Sequence, residues 1–254
     1  MKLNHCEVIA MFNDTRPYTF QRYPLRHPDN NNLHLYFGES FEGLPVMVNK
    51  GPFIQEYLSD LKHTIELALA EYPRVLAFRV DLRLPQGIEL PDYAYTNQVI
   101  SRFIESFNAK IQYHRGQLRD QSQWARRCKV RYVWAREIGS GGRPHYHLVF
   151  LLNRDAYFAV GKLHSKKLNL ISRLQGAWAS ALRLPITTAE DLVHIPDNAT
   201  YRIDRYPRYK KVAGSDHKVL VYELPDLFYR ASYLCKVATK SYGDRQRGFG
   251  TSRG

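Results

Sequence analysis

The sequence predicts an α+β domain, a central antiparallel sheet with flanking helices. Three observations carry this. Some stretches alternate apolar and polar residues as a half-buried strand does, and others repeat their apolar residues at helical spacing. Two neighbouring strand-like runs are joined by "GSGGRP", whose three glycines suit a hairpin. The chain has 254 residues, 44% of them hydrophobic, so one large domain or two small ones can build a normal core.

In chain order, residues 1–51 are rich in Asn, Pro and His ("RHPDNNNLHLYF") and show no sustained period. They read as an N-terminal extension, either loosely structured or an accessory arm. Ile54, Tyr57, Leu58, Leu61, Ile65 and Leu69 then recur at helical spacing, in a segment opened by Pro52 and closed before Pro73. "RVLAFRVDLRLP" (74–85) is β-branched and alternating, so it is a strand. Val99, Ile100, Phe103, Ile104, Phe107 and Ile111 mark a helix over 95–115. The strands "KVRYVWAREI" (129–138) and "HYHLVFLLN" (145–153) follow, then a helix over 166–183. Residues 186–224 are mixed, with a strand at "HKVLVYEL", and a last helix runs from about Pro225 to Lys240. This gives one domain over 52–243 and a basic tail over 244–254. No repeat or low-complexity linker interrupts it, and no G-x-x-x-x-G-K-[ST] loop is present.

Composition narrows the function. No stretch approaches the ~18 uninterrupted apolar residues of a membrane helix. The N-terminus lacks a signal-peptide pattern, and three scattered cysteines make neither a disulfide framework nor a zinc site, so a reducing cytoplasm is expected. Lys and Arg number 37 against 24 acidic residues, a net charge of +13, which favours a polyanionic partner. The basic residues gather at 115–136, including Arg131, at 202–218, and near the C-terminus, including Lys240. In the second group Tyr206, Arg208, Tyr209, Lys210 and Lys211 interleave phenols with cations, a mix that stacks bases while neutralising phosphates. A solvated loop with amphipathic tyrosines has the same composition, and both readings stand.

Two constellations carry chemistry. His145 and His147 alternate with Tyr146 in a strand, so both imidazoles face the same way. Glu137, on the preceding strand of the hairpin, can reach that face. Two imidazoles and a carboxylate make a three-ligand site for Mn2+, Mg2+ or Zn2+, and Mn2+ suits mixed N and O donors better than Mg2+. An ordinary half-buried pair of histidines is the plain alternative. The second constellation is "LFYRASYLCKVATK" (227–240). On a continuous helix Tyr229, Tyr233, Lys236 and Lys240 share one face, and Leu227, Ala231, Leu234 and Ala238 share the opposite one. Two lysines on the tyrosine face argue against its burial as simple core.

An H-hydrophobic-H strand followed downstream by Y-x-x-x-Y-x-x-K resembles the HUH endonuclease superfamily of rolling-circle replication initiators. "YRASYLCK" looks like the two-tyrosine version, and Glu137 stands where several viral members keep a third metal ligand. Together with "RVDLRLP" and the terminal "GFGTSR", the pattern looks most like inovirus-type replication proteins with a YagK/YfjJ-like C-terminal domain, over about residues 52–254. Arg79 and Asp81 depart from the usual hydroxyl-rich first motif. The resemblance implies an HUH, or Rep-like, nuclease fold and a metal-dependent DNA endonuclease acting in the cytoplasm of a bacterial host. Tyr233 would be the nucleophile on single-stranded origin DNA, Tyr229 would make a second transfer, and Lys236 would stabilise developing charge. Host polymerase and helicase would be its partners. A DNA-binding regulator that does not cut, a relaxase or a single-strand transposase would keep the same fold.

Overall fold

The computed structural model describes residues 25–121, 124–139, 141–163, 165, 167–211, 217–240 and 243–254. Short strands open it. β1 (Arg26–His27) pairs with β2 (Asn30–Tyr36), β3 (Ser40–Phe41) with β4 (Leu44–Pro45), and β5 (Phe53–Ile54) returns to the edge of β2. Glu42 and Gly43, at φ 46° and 81°, turn the tight β3–β4 hairpin, as a two-residue loop between right-twisted strands requires. Residues 25–51 are thus built into the fold. Phe41, Val46 and Met47 are buried in the same core as the helices that follow. Four of these strands have two residues, too short to show a period, and the seven of β2 begin with three asparagines and so carry little apolar alternation. Residues 1–24 of the expected extension lie outside the described residues.

The main sheet is wholly antiparallel. Its strands are β6 (Arg74–Leu82), β7 (Arg131–Ile138), β8 (Pro144–Asn153), β9 (Val193–His194), β10 (Thr200–Asp204) and β13 (Phe249–Thr251). The order is β10-β6-β8-β7-β13, with β9 continuing the β10 edge alongside Asp81 and Leu82. β7 and β8 are the predicted hairpin. A separate ribbon pairs β11 (Arg208–Lys211) with β12 (Lys218–Val221).

Each face of the sheet carries a helical layer. Phe78, Val80, Tyr146, Leu148 and Phe150 pack against α2 (Gln98–Gln121) and α3 (Leu170–Leu182), where Phe103 and Trp178 meet edge to face with centroids 5.6 Å apart. Asn169 caps α3 reciprocally with Ser172, so the helix begins later than residue 166. Val75, Ala77, Val133, Val149 and Leu151 pack against α1 (Gln55–Glu71) and α5 (Leu224–Ser232). α4 (Ile186–Ala189) is a single turn after α3. Burying large apolar side chains on both faces, at roughly 1.5–3 kcal/mol each, is what holds the strands in register.

The tyrosine segment departs from expectation. α5 stops at Ser232, residues 233–235 form a tighter 3-10 turn, and Lys236 is extended. The amide of Val237 donates to Pro52 O at 2.9 Å, and Lys236 bridges Phe53. The backbone groups that would continue the helix pair with the β5 segment instead. Ala238, assigned by helical spacing to the buried face, is exposed.

Candidate metal centre

Strand register assembles the site. Glu137 lies directly across from His145, while His147 lies between Ala135 on β7 and Asp81 on β6. Because alternate residues share a face, Arg79, Asp81, Glu137, His145 and His147 all project to the α1/α5 side. The helices cover Val149 and Leu151 but leave the histidine end to Tyr233, just beyond α5. Its ring meets that of His147 edge-on at 5.3 Å.

One ligand atom each of Glu137, His145 and His147 lies within 4.8 Å of the other two. Glu137 and His147 are buried, and His145 is partly exposed. Both Nε2 atoms face Glu137 Oε2 at 3.5 Å. The other oxygen, Oε1, faces Lys236 Nζ at 3.2 Å and Lys240 Nζ at 3.8 Å. Burial would raise the Glu137 pKa, but the two histidines and the Lys240 charge outweigh it and hold the carboxyl well below its ordinary value. Burial lowers the Lys240 pKa to about 8, against the pull of Glu137.

Asp81 orients His147, its Oδ1 standing 2.7 Å from Nδ1. Arg79 Nη2 also approaches Nδ1, at 3.1 Å, and guanidinium nitrogens only donate. Asp81 resolves the conflict, because its carboxylate accepts from both Arg79 and the imidazole. The Nδ1 proton therefore belongs to the Asp81 bond, and Nε2 is the ring nitrogen that faces Glu137. That buried Nε2 has no hydrogen-bond partner among the described residues. A deprotonated carboxylate and two imidazoles, one with an unused ring nitrogen, fit a divalent ion.

Tyr233 is held by cations. Lys236 Nζ donates to its hydroxyl at 2.5 Å, and Arg79 Cζ stands 4.8 Å from its ring centroid. A cleft of about 740 Å3 opens beside it, lined by Asp81, Gly139, Arg143, His145, His147 and Tyr233 among others.

Of the residues expected from sequence, Glu137, His145, His147, Tyr233, Lys236 and Lys240 come together. Tyr229 is more than a third exposed, one turn before Tyr233. Arg131 is buried at the far end of β7, where it pairs with Glu71 at 3.1 Å. Tyr206, Arg208, Tyr209 and Lys211 are exposed on and beside the β11–β12 ribbon, away from the histidines. The Lys210 side chain lies outside the described residues. Asp81 and Arg79 join the site without being among the residues expected from sequence to act in it. Their signal was two charges at the same strand parity in an otherwise apolar run.

Residues 38–252 match the model of the YagK/YfjJ C-terminal domain. The chain belongs to the YagK/YfjJ C-terminal domain family. Every site residue above falls inside the matched span. Two Escherichia coli (strain K12) relatives align along nearly their whole length. The uncharacterized protein YagK is 34% identical over 208 residues, covering 80% of this chain and 95% of its own. The uncharacterized protein YfjJ is 32% identical over 211 residues, covering 80% and 97%. Among solved structures, the N-terminal nuclease domain of the minute virus of mice non-structural protein 1, described with Zn2+ in its active-site pocket, is similar over 63% of this chain and 77% of its own. Its identity is 13% and its TM-score 0.27, too slight a likeness to support a conclusion about this YagK/YfjJ domain. No described helix is long and apolar enough to cross a membrane.

Proposed function

We propose that this YagK/YfjJ-family protein nicks and rejoins single-stranded DNA through a tyrosine nucleophile, as a rolling-circle replication initiator of the HUH, inovirus-like type. One observation carries the reading: a tyrosine hydroxyl held 2.5 Å from a lysine ammonium, its ring against a histidine of the three-donor cluster. An ordinary structural tyrosine needs neither neighbour.

Glu137, His145 and His147 would hold a divalent ion, Mn2+ or Mg2+, which when bound supplies Lewis-acid polarisation of the scissile phosphate. The chain's own residues do the rest. Asp81 and Arg79 fix the His147 ring. Lys236 keeps positive charge at the Tyr233 oxygen, where it would offset the negative charge that develops on the reacting phosphate. Tyr233 Oη attacks phosphorus, the P–O3′ bond breaks, the phenolic proton passes to solvent, and the leaving O3′ takes up a proton. The product is a 5′-phosphotyrosine and a free 3′-OH that a host polymerase can extend, with a host helicase opening the duplex. One phosphodiester replaces another, so the reverse transfer needs no nucleotide. Tyr229 would make the second transfer.

The test is a protein–DNA adduct that survives denaturation, formed with a labelled single-stranded library and Mn2+. The wild type should form it. EDTA, His147→Ala and Tyr233→Phe should each abolish it, while Tyr229→Phe should keep the first adduct and fail at repeated transfer. A wild type that binds the library but yields no adduct would make the protein a DNA-binding regulator. An adduct that persists in Tyr233→Phe and vanishes in Tyr229→Phe would reverse the two roles.

A further inference from the structure

At the end of the sheet away from the histidines lies a second cleft, of about 790 Å3. It opens between the first residue of β6, the loop after β8, the end of β10 and the β11–β12 ribbon. Five arginines line it. Arg74 pairs with Asp155 at 2.6 Å, and Arg154 pairs with Asp204, which leaves Arg126, Arg202 and Arg208. No carboxylate of the described residues lies within ion-pair distance of those three. Glu223, which also lines the cleft, accepts from the Arg202 backbone amide at 2.6 Å, so the one remaining acid there is engaged by main chain.

Two aromatic rings accompany these cations. Phe158 and Tyr209 are each 67% exposed, and the Arg202 guanidinium lies over the Phe158 ring at 4.4 Å. A large apolar ring left in water beside unpaired guanidiniums is an unfavourable arrangement for the protein alone. It becomes favourable when a flat group covers the ring and an anion meets the guanidiniums. A nucleic-acid strand supplies both, phosphate and base in alternation. Rings can take bases this way only if the bases are unpaired, which selects a single strand over a duplex.

We infer that this arginine–aromatic cleft is a second binding site for single-stranded DNA, separate from the metal centre. Arg126, Arg202 and Arg208 contact phosphates, and Phe158 and Tyr209 stack bases. The inference rests on the nuclease reading only for the choice of DNA as the polymer. The two sites stand at opposite ends of one strand. β6 begins with Arg74 in this cleft and reaches Asp81 beside His147 seven residues later, roughly 23 Å along the strand and, at that odd spacing, on the other face of the sheet. A DNA segment bound here therefore lies beyond the reacting phosphate and serves to hold or select the substrate.

Anisotropy of a fluorescein-labelled oligothymidine, titrated with the full chain in EDTA, reads this site without chemistry. Phe158→Ala should weaken binding about tenfold. Arg126→Ala and Arg208→Ala together should flatten the log–log salt dependence by about 1.4, two single-strand phosphates' worth. All three side chains are on the surface, so the fold should stand, and unchanged circular dichroism checks this. Wild-type affinity and salt slope in the variants would overturn the inference, as would an unlabelled duplex that competes as well as a single strand. A wild type that never forms adduct, while the variants still lose oligothymidine binding, would remove the nuclease reading and leave the cleft.

Discussion

Asp81 commits one face of the His147 ring and so frees the other. Its carboxylate, 2.7 Å from Nδ1, fixes both the tautomer and the ring angle. Asp81→Ala should therefore weaken Mn2+ binding about 10–100-fold, read by calorimetry on a chain whose circular dichroism is unchanged. An unaltered Mn2+ isotherm would mean that packing alone holds the ring. At this scale the histidine pair and Glu137 were legible in the sequence, because strand alternation and a short glycine-rich hairpin fix which side chains share a face. The same parity argument reaches Asp81 and Arg79. It does not reach the approach of Lys240 to Glu137, because that contact depends on a turn in the backbone between Tyr233 and Lys240 that no glycine or proline announces.

Among the elements, the long apolar periods of α1, α2, α3, β6, β7 and β8 were legible, because each buries a face against the sheet. The end of α5 was not. Residues 233–240 suit a helix locally, and only the waiting edge of β5, itself two residues long, diverts them. Edge strand β13 is another tertiary decision. Its three residues close the sheet beside β7, and Gly250 lies opposite Trp134 with no room to spare. A Cβ there would stand 2.7 Å from the indole ring. Gly250→Ala should cost about 1–3 kcal/mol, seen as a lower denaturant midpoint with an unchanged slope. A midpoint equal to wild type would show that the indole can step aside.

For the whole molecule, burial sets an alkaline limit. Tyr146 and Tyr157 are pushed up to about 12, and Cys128 to about 11, chiefly by their exclusion from water. Their ordinary values are 10.0 and 9.0. Each group is neutral in the fold and ionises more readily when unfolded. Their contribution is therefore complete below about pH 9 and is lost as pH rises through the folded values. Tyr146 alone accounts for about 3 kcal/mol at most. Denaturant midpoints should fall steeply between about pH 9 and about pH 12, and a flat profile over that range would contradict the burial of these groups. The continuity of β6 has a different consequence. Loops can lengthen or shorten in relatives, but the rise of a paired strand cannot. If DNA is gripped beside Arg74 and cut beside His147, the shortest strand that can engage both sites is set by the protein backbone. Oligonucleotides too short to reach from one site to the other should then lose the affinity that the second site adds.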